Sequence, residues 1–171
     1  MKLKFVDSML ANSLSGGLTM LAETAANVIN EGIKAHKPVK KYDKNRVIAT
    51  FQSNLGNIRI IGDIKIEALT DIFEVSRQSI WNIETGKTKM NMAQFLAWYS
   101  VFNQNLEELE KNGDPIAKIF KRCLEICIDE NGSYSDEELE KYRLIIDQIA
   151  RLKKAGVDQD IIDTIAKNLF D

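Results

Sequence analysis

Apolar residues recur at intervals of three and four along most of this chain, and this spacing constrains its fold more than any other feature. Such intervals place side chains on one face of an α-helix. The 171 residues include only two prolines and nine glycines, so few positions interrupt long helices. We therefore predict an all-α protein.

The composition is typical of a globular protein, since 44% of the residues are apolar and 28% are charged. No apolar run approaches the roughly 18 residues that a membrane-spanning helix needs. The N-terminal residues 1–5 are charged and do not lead into the apolar core of a signal peptide. We expect a cytoplasmic protein that does not act in a membrane.

Several kinds of chemistry lack their usual residues here. Cys123 and Cys127 are spaced i, i+4 among apolar residues, so we expect them to fill a core. His36 is the only histidine and no Cys-x-x-Cys pair is present, which argues against a metal site. A glycine-rich phosphate loop and a nucleophile elbow are also missing. We predict no catalytic residues, no metal and no cofactor, and a protein that is not an enzyme.

The N-terminal region, residues 1–46, combines a predicted helix at about 18–35 with a basic stretch at 34–46. Pro38 ends the helix, and the stretch holds six basic residues against one acid. One interpretation is a solvated linker. The other is an arm that follows DNA phosphates, as in several DNA-binding folds. In that arm the phosphate contacts would come from Lys40, Lys41, Lys44 and Arg46.

The charge is uneven along the chain. Residues 1–50 carry a net +4, residues 51–113 carry −2 and residues 114–171 carry −4. This gradient disfavours nonspecific coating of nucleic acid by the whole surface, but it allows one localised patch that faces phosphates.

Residues 47–113 predict a compact helical unit. Its first segment, 47–61, fits a helix face, although 47–51 and 58–61 could also pair as strands; we prefer the helix because the next segments are helical. A fourth helix from about Met92 to Phe102 carries aromatic residues that we assign to the core. The predicted helices are 47–61, 65–73, one that follows the turn 74–76, 92–102, and a short fifth from Leu106 to the Asn112-Gly113 break.

The third of these helices carries the main functional signal. Ser76 is a good N-cap, and Ile80 and Ile83 can anchor the helix. Arg, Gln and Asn side chains early on such a helix can hydrogen-bond base edges in a DNA major groove. Trp81 either contacts a thymine methyl or a sugar, or it extends the core. The residues predicted to contact bases are Arg77, Gln78, Trp81 and Asn82.

Residues 114–171 predict three amphipathic helices. Pro115 suits the first turn of one helix, Ser135 with Glu138 offers a capping box for the next, and Gly156 ends it. Three such helices have more apolar surface than they can bury alone. We expect them to pack on the N-terminal helix, on a second subunit, or on both.

Residues 55–105 resemble the helix-turn-helix domain of lambdoid phage repressors and Cro proteins, also called XRE-like domains. Ser79-Ile80, the stretch 84–89 and the spacing between the helices carry this resemblance. It implies a five-helix unit whose third helix enters the major groove. The N-terminal helix and the C-terminal helical extension, predicted above from the apolar spacing, would be additions to this unit.

The resemblance also implies roles for single residues. Arg77, Gln78 and Asn82 occupy base-contacting positions, with Trp81 between them. Arg59 and Glu84 occupy positions that form an ion pair in some phage repressors. Ser76, Lys87 and Lys89 occupy positions that hold phosphates.

Three positions depart from the pattern of these repressors. Ile66 stands where a glutamine usually begins the second helix. Thr70 replaces a small residue at the crossing with Ile80. Glu74 replaces a frequent glycine in the turn, which costs about 1 kcal/mol if its φ is positive.

Two functions follow from these features. The first is a sequence-specific transcription regulator that binds double-stranded DNA as a homodimer, repressor-like and of phage or mobile-element type. The alternative is a protein-interaction adaptor, such as an antitoxin or a phage-encoded modulator, whose C-terminal helices bind another protein. The charge gradient and the three departures motivate this alternative.

Overall fold

Residues 43–129 and 132–170 are described by the computed structural model, and they form seven α-helices without a strand. The all-α prediction is confirmed for these residues, whereas the helix predicted at 18–35 lies outside them. None of the seven helices is both long and apolar enough to cross a lipid bilayer. The helices are α1 Lys44–Ile61, α2 Ile66–Phe73, α3 Arg77–Glu84, α4 Met92–Lys111, α5 Ile116–Ile128, α6 Asp136–Lys154 and α7 Gln159–Phe170.

The helix α1 lies at the centre of the fold. Asp43 begins it, since its carboxylate accepts hydrogen bonds from two free backbone amides of the first turn. Phe51, Leu55 and Ile58 are completely buried along one side. The helical interpretation of 47–61 is confirmed, and the alternative pair of strands is wrong.

The helix α4 corrects the prediction of two separate helices at 92–102 and from 106 onward. It runs without a break for 20 residues. The residues between the two predicted segments, Asn103 to Asn105, include neither glycine nor proline, so nothing stops the helix there. Asn105 also donates a hydrogen bond to the Gly62 carbonyl at 3.0 Å, which holds this part of α4 against the end of α1. Residues 47–113 therefore contain four helices and not five.

The C-terminal helices pack on α1. Both α5 and α6 lie against it, and α7 packs on α5 and α6. Arg46 of α1 contacts Asp136 near the start of α6, and Asn57 contacts Asp147 further along it, with a sequence separation of 90 residues in each pair. The two helices are therefore parallel and side by side. The sequence predicted other partners for these helices, namely the N-terminal helix or a second subunit.

The hydrophobic core continues across the predicted boundary between residues 113 and 114. Phe102 of α4 meets Phe120 of α5 with 5.9 Å between the ring centroids. Gly62 leaves space for this contact, because a Cβ there would lie 2.5 Å from a ring carbon of Phe120. The capping box of Ser135 and Glu138 is confirmed at the start of α6. Residues 114–170 thus share one core with the preceding helices.

Candidate nucleic-acid interface

A short turn at residues 74–76 joins α2 to α3. Helix α2 ends at Phe73, and Glu74 takes the left-handed conformation with φ +52°. Helix α3 then begins at Arg77, because the Ser76 hydroxyl accepts a hydrogen bond from the Ser79 amide at 3.1 Å. The sequence placed both helices and the cap correctly, and the positive φ at Glu74 meets the condition for a strained turn.

Ile80 and Ile83 anchor α3 on the body of the protein. Leu69 of α2 and Ile80 of α3 are completely buried, and Ile83 is nearly so. Thr70, at the crossing, is half-buried and donates its hydroxyl hydrogen to the Glu67 carbonyl at 2.7 Å. The apolar side of α3 is therefore fixed, which leaves its other side to solvent.

The solvent side of α3 brings together the four residues predicted to contact bases. Gln78 Nε2 donates to Asn82 Oδ1 at 2.9 Å. Arg77 pairs with Glu67 of α2, and both side chains are well exposed. Trp81 is 42% exposed, so it lies on this face and does not extend the core. The face presents donors, acceptors and one aromatic ring.

The loop after α3 adds positive charge beside this face. Gly86 adopts φ +72° with open space around it, a conformation that favours glycine. Lys87 Nζ lies 4.0 Å from the centroid of the Trp81 ring, which is a cation–π distance. Lys89 is exposed. Both lysines thus flank α3 at its C-terminal end.

Gln52 of α1 fixes this loop from inside, and sequence reasoning missed it. Its amide nitrogen donates to the carbonyls of Ile83 at 2.8 Å and Thr88 at 2.7 Å. Its amide oxygen accepts from the Met90 backbone amide at 3.0 Å. Because these partners lie 31 to 38 residues away in the chain, no local sequence pattern indicates the contact.

A second internal contact holds the end of α3. Arg59 Nε donates to Glu84 Oε1 at 2.5 Å, and Arg59 Nη1 donates to the Ile64 carbonyl at 3.1 Å. The side chains are only 14% and 9% exposed. Gly56 lies under the pair, since a Cβ on it would approach a Glu84 carboxylate oxygen to 3.4 Å. The structure thus contains the ion pair that the resemblance implied.

Only residues 43–46 of the basic stretch 34–46 belong to the part of the chain that the structure describes. Lys40 and Lys41 lie outside the described residues. Lys44 is exposed in the first turn of α1, about 12 Å along the helix axis from Gln52. The contact of Gln52 with the loop after α3 therefore does not place Lys44 next to α3.

Arg46 has a different role from the one predicted. It lies within α1, and its guanidinium contacts Asp129 at 3.1 Å, Asp136 at 3.2 Å and the Tyr134 carbonyl at 2.6 Å. Asp129 is buried, so this cluster joins α1 to the connection between α5 and α6. We therefore do not include Arg46 among the proposed phosphate contacts.

Comparison with protein-family models, with curated proteins and with solved structures finds no match for this chain. We therefore infer a function from the solvent side of α3, with Arg77, Gln78, Trp81 and Asn82, which we call the α3 face, and from the residues around it.

Proposed function

We propose that this chain is a sequence-specific, double-stranded DNA-binding transcription regulator that inserts α3 into the major groove. The observation that carries the proposal is the solvent side of α3. It gathers Arg77, Gln78, Trp81 and Asn82 directly after a capped turn, while the opposite side is anchored in the core. A major groove about 12 Å wide admits one α-helix, so such a face can reach base edges.

The side chains of this face match the chemistry of base pairs. Arginine forms two parallel hydrogen bonds with guanine, and glutamine or asparagine does so with adenine. In the free protein Gln78 and Asn82 bond to each other, so on DNA they exchange that bond for base edges. Trp81, exposed between them, offers apolar surface to a thymine methyl group or a sugar.

The pair between Arg77 and Glu67 does not prevent this role. Both side chains are more than half exposed, and an exposed ion pair contributes only about 0–1 kcal/mol. A good bidentate contact with a base contributes about 1–3 kcal/mol of discrimination. Arg77 is therefore expected to leave Glu67 when a guanine is presented to it.

The residues around α3 suit the phosphates on each side of the groove. Ser76 offers a hydroxyl at the start of the helix, and Lys87 and Lys89 offer charge at its end. Phosphate contacts orient a protein on DNA and carry no sequence information directly. One recognition helix reads few base pairs, so we propose a homodimer that binds two half-sites about one DNA turn apart.

Selection of bound fragments from random duplex DNA tests the proposal, because enrichment of a symmetric site reports binding, specificity and half-site spacing together. On the selected site, Arg77→Ala should weaken binding by about 1–3 kcal/mol and relax the preference at one base pair. Lys89→Ala should instead weaken all sequences alike. Titration of a labelled duplex, followed by fluorescence anisotropy, measures both effects.

Arg143→Ala is the matched control. Arg143 also forms an ion pair on the surface, with Glu140 of the same helix α6, and it is not part of the α3 face. Its removal should leave DNA binding unchanged. If no sequence is enriched, or if Arg77→Ala binds the selected site as tightly as the wild type, the proposal is wrong.

A further inference from the structure

A second basic surface lies beside the start of α3. It is an open cleft of about 380 Å³ between the turn that joins α1 to α2 and the end of α6. We call it the α6 cleft and define it by the lysines on its rim, which are Lys65, Lys153 and Lys154. Arg77 also borders this cleft, so the cleft and the α3 face share one residue and are continuous.

The parallel packing of α1 and α6 places the lysines of α6 there. Asn57 of α1 contacts Asp147 of α6. Because the two helices are parallel, their C-terminal ends also lie side by side. Helix α6 ends at Lys154, where the chain of α1 turns towards α2. The C-terminal region, acidic as a whole, thus presents two of its lysines next to the DNA-reading unit.

Not all positively charged side chains of the α6 cleft form ion pairs within the described residues. Arg59 is paired with Glu84, and Arg77 is paired with Glu67. Asp63 is the remaining carboxylate on the rim. Lys65, Lys153 and Lys154 form no ion pair within 4.0 Å among residues 43–129 and 132–170. The rim therefore holds three unpaired positive charges against one negative charge.

We propose that the α6 cleft binds the DNA backbone next to the groove that α3 enters, with Lys65, Lys153 and Lys154 facing its phosphates. This inference rests on the proposed DNA-binding function. In helix-turn-helix complexes the helix before the recognition helix crosses the DNA backbone, and Lys65 stands directly before α2. One strand of duplex DNA carries a negative charge per about 3.4 Å of the helix axis, so a backbone seated in the cleft offers several phosphates to these lysines.

The test is the salt dependence of DNA binding by Lys153→Gln/Lys154→Gln in the full chain. Each phosphate neutralised by a lysine contributes about −0.9 to the slope of log K against log salt concentration. The double variant should therefore lower the magnitude of the slope by about 1.8. The loss should be equal on the selected duplex and on an unrelated one, so the ratio of the two affinities stays constant.

The matched control is Lys118→Gln/Lys167→Gln, which removes the same charge from exposed positions on α5 and α7 that do not border the cleft. It should keep the slope of the wild type. Lys65→Gln provides an independent variant in an exposed turn, with an expected change of about 0.9. It remains informative if the double variant does not fold, as judged by circular dichroism.

The results separate this inference from the proposed function. If the wild type binds DNA, Arg77→Ala loses specificity and the cleft variants keep the wild-type slope, the inference is overturned while the proposed function stands. If the wild type binds no DNA, both fail. Slopes that fall for the cleft variants and not for the control support the inference.

Discussion

Replacement of Gln52 by alanine should destabilise the protein and free the loop that carries Lys87 and Lys89. Gln52 is 8% exposed and forms three hydrogen bonds with the backbone between Ile83 and Met90. Alanine removes all three bonds at once. The loop then loses its link to α1.

The magnitude follows from what each partner retains. The Ile83 carbonyl also accepts a bond from the Gly86 amide at 3.1 Å, so its loss is partial. The Met90 amide bonds to Gln52 in a buried position, and a buried group left unsatisfied costs about 1–3 kcal/mol. Thr88 lies nearer to solvent, so its carbonyl costs about 1 kcal/mol. The sum predicts a decrease of about 3 kcal/mol in the free energy of unfolding.

Urea denaturation followed by far-UV circular dichroism measures this decrease. Gln52→Glu is the more specific test, because it keeps the shape of the side chain. It places a carboxylate oxygen against the carbonyl oxygens of Ile83 and Thr88, so it should destabilise the protein at least as much as alanine does. Gln148→Ala, an exposed glutamine of α6, should change the free energy by less than about 0.5 kcal/mol. Trypsin should also cleave after Lys87 and Lys89 faster in Gln52→Ala. A loss below about 1 kcal/mol for both Gln52 variants would refute the reasoning.

Two further predictions concern stability. Glu74→Gly should raise the free energy of unfolding by about 1 kcal/mol, because glycine adopts the left-handed conformation without the Cβ clash. The control Glu107→Gly inside α4 should lower the free energy of unfolding by about 1 kcal/mol. If both variants change this free energy in the same direction in the urea assay, the prediction is wrong. Burial raises the pKa of Cys123 to about 12 and that of Cys127 well above its ordinary value. The folded state thus keeps its thiol protons while the unfolded chain releases them near pH 9.0. Stability from this source is full below that pH and is lost as the pH rises towards 12. Cys123→Ala/Cys127→Ala should show a smaller alkaline loss of the urea midpoint, and rapid reaction of the native thiols with a disulfide reagent would show that they are not buried.

Local signals in the sequence were sufficient for most of the helices. Ser76 and the Ser135–Glu138 capping box mark helix starts through contacts between residues three positions apart in the chain. Such contacts can be recognised from the local sequence. The start of α4 has the same kind of signal, a capping box formed by Asn91 and Gln94, which could have been recognised. The apolar spacing of α1 was also enough to favour a helix over strands.

Contacts between distant segments could not be predicted in this way. Gln52 and Arg46 stand out in the structure because of partners that lie 31 to 90 residues away. In the sequence, each is one more polar residue on a helix. The Arg59–Glu84 pair was expected only because of the resemblance to phage repressors, and not from its spacing. The candidate DNA-contacting face could therefore be predicted from residue types, whereas its internal supports could not.

Helix α1 explains why those supports act together. At 100° per residue, Gln52, Gly56 and Arg59 fall on one side of α1, and this side holds α3 and its loop. Arg46 and Asn57 are 11 residues apart, about three turns, and so share another side, which holds α6. A shift of α6 must therefore either move α1 or break the Arg46 and Asn57 contacts. Since α1 also fixes α3, the lysines at the end of α6 are held in a constant position relative to Arg77, as the proposed DNA-binding surface requires.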